Sequence, residues 1–142
     1  MKQILRMGLL VSPLLVAGCD VLTGPRIELH LATIDTAEAL PIVPDSVVQG
    51  EPFTVTITII HNCLDLGPVE QEDFPGGVVL RPYQVLQSKP EVLCPGALRF
   101  RPLTDEVLWN HPYDFELQIY ALDAWTGAPL SLRYPISVRP NG

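Results

Sequence analysis

The sequence predicts an all-β chain: a single antiparallel β-sandwich of about seven strands, after a short cleaved signal peptide. Three observations predict it. Phe53, Val55, Ile57 and Ile59 alternate with Thr54, Thr56 and Thr58, a period of two built largely from β-branched residues. Two further alternating runs, over 113–121 and 130–138, are separated by one turn and read as a hairpin. The chain carries 15 prolines, and no segment sustains a 3.6-residue apolar period, which favours short strands and loops over helices.

The elements follow in order. Arg26 to Ile34 reads as a first strand, with Ile27, Leu29 and Leu31 on one face and Glu28 and His30 on the other. Residues 37–44 form a loop with two prolines, and Ser46 to Gln49 a short edge strand before the turn at Gly50-Glu51-Pro52. Phe53 to Cys63 is the clearest strand. Leu64 to Gly77 reads as a polar connection. Val78 to Leu86 is a strand interrupted by Pro82, which predicts an edge or a bulge. Ala97 to Arg101 and Glu106 to Trp109 read as two short strands. In the hairpin, Tyr113, Phe115, Leu117, Ile119 and Ala121 share one face, and Leu130, Leu132, Tyr134, Ile136 and Val138 share another. Each strand thus has a dry face and a wet face.

The N-terminus has the plan of a secretory signal: Lys2 and Arg6, then an apolar run from Met7 to Ala17. That run is too short for a spanning helix, which needs roughly 20 apolar residues. Val16-Ala17-Gly18-Cys19 resembles the lipobox of bacterial lipoproteins. The resemblance implies cleavage before Cys19, a diacylglycerol on its sulfur and a place in the bacterial cell envelope, held to a membrane. Residues 1–18 are then the signal peptide, 19–25 the lipidated cysteine with a short tether, and 26–140 the domain. Six residues, Asp20 to Pro25, reach about 20 Å at most, which keeps the domain close to the bilayer.

Export permits a disulfide, and Cys63 and Cys94 are the two cysteines left to form one; two free thiols are the alternative. Cleavage also removes two basic residues and no acidic ones, taking the formal charge from −7 to −9. An acidic domain lacks the basic surface that nucleic acid requires.

Val47-Val48-Gln49-Gly50-Glu51-Pro52-Phe53-Thr54-Val55, Tyr113-Asp114-Phe115-Glu116-Leu117 and the run from Leu130 to Val138 resemble strands of bacterial immunoglobulin-like or fibronectin-like domains. The resemblance implies an immunoglobulin-like sandwich and no activity. Phe115 stands where antibody domains carry their second cysteine, so a Cys63–Cys94 bridge would be a different staple. A transthyretin-like sandwich fits the same pattern.

Sites of chemistry are sparse. His61 and Cys63 share a strand face, but no histidine follows either cysteine closely and the mature chain has no methionine, so a blue-copper set is incomplete. Glu70, Glu72 and Asp73 lack the spacing of a calcium loop and read as a solvated acidic segment. No nucleophile elbow, phosphate loop or zinc-protease motif occurs. Glu106, Asp114 and Glu116 could serve a carboxylate enzyme only if the fold gathered them. No metal, cofactor or enzyme activity is expected. Trp109 and Trp125 lie in or beside turns and are candidates for a contact surface. The expected function is a lipid-anchored, non-catalytic module that binds or scaffolds an envelope protein. Capture of a small ligand, glycan or cation by the acidic and aromatic loops is the alternative; a sugar site asks for an exposed Trp109 or Trp125 beside carboxylates, a protein site for an exposed apolar patch or an unpaired strand edge.

Overall fold

The computed structural model describes residues 27–61, 64–87 and 99–142. Val16, Ala17, Gly18, Cys19, Cys63 and Cys94, and with them the expected signal peptide, lipid site and disulfide, lie outside the described residues. The chain is all-β. Its strands are β1 (Ile27–Leu31), β2 (Thr33–Ile34), β3 (Ser46–Val48), β4 (Pro52–His61), β5 (Asp65–Phe74), β6 (Gly77–Gln87), β7 (Arg99–Leu108), β8 (Phe115–Asp123) and β9 (Pro129–Arg139).

These strands form a curled mixed sheet. β4 and β7 pair antiparallel along their whole length, Pro52 opposite Leu108 and His61 opposite Arg99. β5, β6, β8 and β9 pair in that order. One core joins the two groups: Val55, Ile57, Ile59 and Val107 meet Val78, Leu80, Leu117, Ile119 and Ile136. The even-numbered threonines of β4 face away from it, as the period of two requires.

The curl has a local cause. β8 lies along the first part of β6, from Gly77 to Leu80, and β1 along the last part, from Tyr83 to Gln87. The chain crosses from one neighbour to the other at Ala32. Its N–H donates to the Pro82 carbonyl at 2.8 Å, and its carbonyl accepts from Leu122 N at 2.9 Å. β2 then runs parallel to β8 and antiparallel to β4, with Ile34 opposite Ile59. β5 and β7 stand at the two ends of this path. Gln71 of β5 reaches across to β7, its Nε2 2.8 Å from both Asp105 Oδ2 and Glu106 O.

Several expectations need correction. Three pairings are parallel (β2 with β8, β3 with β9, β6 with β8), so the sheet is mixed rather than purely antiparallel, and the described strands number nine. Residues 64–77 are mostly strand: β5 pairs with β6 although none of it is fully buried, Leu66 and Val69 only partly covering the core. The two short strands expected around residues 97–109 are one, β7. Pro102 fits inside it because, among the described strands, β7 pairs with β4 alone, leaving a side without a ladder for a residue with no N–H. Pro82 is no edge residue. It is fully buried in a strand paired on both sides. Its carbonyl points to Ala32, so the missing N–H falls on the same side, in the gap between β8 and β1. The bulge lies on the partner strand, between Leu66 and Val69.

The strand expected from Arg26 to Ile34 is divided at Ala32 into β1 and β2, and Leu29, opposite Val85, and Leu31, opposite Tyr83, lie on the side of β6 away from the core, with Ile27 67% exposed. The hairpin matches its expectation: β8 and β9 pair from Phe115–Ile136 to Leu122–Pro129.

Candidate functional site

The turn between β8 and β9 is held by Asp123. Its Oδ1 accepts from Trp125 N at 3.1 Å, Thr126 N at 2.8 Å and Thr126 Oγ1 at 2.8 Å. These bonds hold the carboxyl below the usual carboxylate range, the Thr126 hydroxyl contributing most. Gly127 closes the turn at φ 67°, where a side chain would be strained. Ala124 N donates to Ile34 O at 3.0 Å, which docks the turn onto β2. The product is a fixed loop that presents Trp125, 79% exposed, beside the end of β2.

Asp35 follows β2 directly. Its Oδ1 accepts from Ala37 N at 2.9 Å and from Trp125 Nε1 at 3.3 Å. The residue is 5% exposed, and Oδ2 has no hydrogen-bond partner among the described residues. Gln84 projects from β6 on the core side, after Val78, Leu80 and Pro82. It is 2% exposed; its Nε2 donates to Ile60 O at 2.7 Å, and its Oε1 has no partner among the described residues.

These side chains border a cavity of about 400 Å³, lined also by Thr33, Ile60, Leu64 and Ala124. The size lies within the roughly 300–1,000 Å³ of small-molecule sites. Its wall is mostly apolar, with a few polar groups fixed by bonds to the frame. Among the described residues no lysine or arginine lines it. Such a wall can bind and orient. The exposed indole offers a flat face, and Asp35 and Gln84 offer acceptors.

The other expected site residues lie elsewhere. Trp109 is buried at the far end of β4, stacked on Phe115, with Nε1 donating to Tyr113 O at 3.1 Å. Phe53, at the start of β4, is 6.0 Å from Phe115, whereas Ile60, near its end, lines the cavity. At about 3.3 Å per residue the two tryptophans are more than about 20 Å apart and share no surface. Glu70 and Glu72 point to Tyr83 and Arg81 of β6: Tyr83 Oη donates to Glu70 at 3.0 Å, and Arg81 pairs with Glu72. Burial, then the bond to Glu70, raises the Tyr83 pKa, and Glu72 raises that of Arg81. Asp73 faces the other side of β5. Glu106 is on β7, Asp114 accepts from Val138 N at 2.8 Å, and Glu116 lies beside Arg133, so these carboxylates do not converge. Among the described residues no group of three His, Cys, Asp or Glu side chains gathers as a metal site. His30 lies on β1 near Glu28, and His111 stacks on Tyr113.

Sequence reasoning named Trp125 but missed Asp35 and Gln84. Gln84 carried a signal, since it is the polar residue in the dry phase of its strand. Asp35 carried none, because its partner is 90 positions away. Comparison of the chain with protein-family models, with curated proteins and with solved structures found no match.

Proposed function

We propose that this chain is a lipid-anchored bacterial envelope protein whose domain captures a small ligand without chemical conversion. The anchor reading is supported by the run Val16-Ala17-Gly18-Cys19. The ligand reading is carried by one observation: an exposed Trp125 is hydrogen-bonded to a buried carboxylate at the mouth of a cavity of about 400 Å³. An immunoglobulin-like sandwich remains the proposed architecture. It is supported by the β4–β7 pair packing over β6, β8 and β9 around one core, while the parallel β6–β8 pairing departs from it.

A protein-docking role is the second reading. It is favoured by Ile42, Phe100 and Leu108, exposed around the threonine row of β4 and β7. Cross-linking in intact cells, with a Cys19→Ser control, separates the two. A near-stoichiometric envelope partner lost in the control supports docking. Unlinked protein that co-purifies with a small molecule, released by Trp125→Ala, supports capture. Membrane attachment that survives Cys19→Ser overturns the anchor reading.

A further inference from the structure

We infer that the Trp125 cavity selects small organic cations: ligands with a protonated amine on an apolar or aromatic body. This rests on the ligand-capture reading and goes on to name the ligand class.

The argument is one of unbalanced charge and hydrogen bonding. A buried carboxylate is costly unless paired, and Asp35 is 95% buried with no cationic partner among the described residues. Its two bonds, from Ala37 N and Trp125 Nε1, both fall on Oδ1 and leave Oδ2 open. The Gln84 amide is oriented by its donation to Ile60 O, which leaves its carbonyl oxygen and its second N–H without a partner among the described residues. The Trp125 N–H, which could have served a ligand, is already engaged by Asp35. The open groups of the wall are therefore the second Asp35 oxygen and the Gln84 carbonyl as acceptors, with the second Gln84 N–H and the Thr33 hydroxyl as neutral donors and no cation among the described residues. An ammonium group supplies what is missing, a positive charge with up to three N–H donors. The exposed indole face adds a second attraction for a cation. Ile60, Leu64 and Ala124 supply apolar contact for the body of such a ligand. A neutral sugar leaves the Asp35 carboxylate without a counter-charge, and an anion meets no basic side chain among the described residues of the wall. The acidic charge of the whole chain, −7, raises the local concentration of cations further.

The test uses the full chain as processed by the cell, in a non-ionic detergent, with three probes: 2-phenylethylammonium, its neutral isostere 2-phenylethanol, and methyl glucoside. Trp125 emission is the readout in a Trp109→Phe background, and thermal shift is the readout in the unmodified chain. The inference expects saturable binding of the ammonium, about tenfold or more weaker binding of the alcohol, and a similar loss for the ammonium in Asp35→Asn. Asn keeps the oxygen that accepts from Ala37 and Trp125, so the turn is retained. If Asp35→Asn fails to fold, Gln84→Leu serves instead, with weaker ammonium binding expected. Equal binding of the ammonium and the alcohol overturns the cation inference. Saturation by the alcohol or methyl glucoside alone also overturns it, while leaving the capture reading standing. No response to any of the three probes overturns both.

Discussion

Trp109 lies face to face over Phe115, with ring centroids 4.3 Å apart and 18° between their planes. The pair closes the core at the end where β4 begins, and Phe53 tilts against the same ring. Truncating Trp109 to alanine removes the larger member of a buried stack and leaves a cavity. The expected cost is about 3–5 kcal/mol, read from urea unfolding, and Trp109→Phe costs less because a ring remains.

Gly77 opens the parallel β6–β8 ladder opposite Glu116. A methyl group there would meet the Glu116 carbonyl oxygen and the Phe74 ring. Gly77→Ala is expected to destabilise by about 1–3 kcal/mol, because a backbone carbonyl cannot swing aside as a flexible side chain can. Gly76→Ala tests backbone conformation instead, since nothing crowds that position but its φ is 93°.

Gln71→Ala removes the side chain that spans from β5 to β7. A net loss of about 0.5–1.5 kcal/mol per hydrogen bond is the expected scale. The more specific outcome is local: amide exchange along β5 and β7 accelerates while β8 and β9 keep their protection.

Acid should loosen the Trp125 turn. The folded-state pKa of Asp123 lies below its unfolded value, so its contribution is full above the unfolded value and is lost as pH falls through the folded one. The window lies below roughly pH 4. Thr126→Val removes the largest cause of the shift, lowers stability at neutral pH and flattens the acid dependence. Trp125 emission followed from pH 6 to pH 2 in both proteins checks this.

The strands that were legible in the sequence are those whose neighbours bury one face. Leu117, Ile119 and Ala121 are fully buried, and the same contrast of dry and wet residues is what made β4 and the hairpin readable. β5 was hidden because its two core-side residues, Leu66 and Val69, are only half-buried and are put out of phase by the bulge between them, leaving no alternating stripe for a pattern to show. β1 shows the limit of alternation. Ile27 and Leu29 mark a strand correctly, but a period of two does not say which face meets the core. At the cleft, Trp125 was visible as a turn aromatic, while its carboxylate arrived through a long-range fold contact that spacing cannot encode.

The crossing at Ala32 has a mechanical consequence. This one residue is hydrogen-bonded to β6 through its N–H and to β8 through its carbonyl. Tension applied to the N-terminal end of the chain first loads the five-residue β1 ladder and then reaches a point where two strands must yield together. Bonds loaded in concert resist more than bonds peeled one by one. A pull from the N-terminal side is thus divided between β6 and β8 before it reaches the turn that carries Trp125.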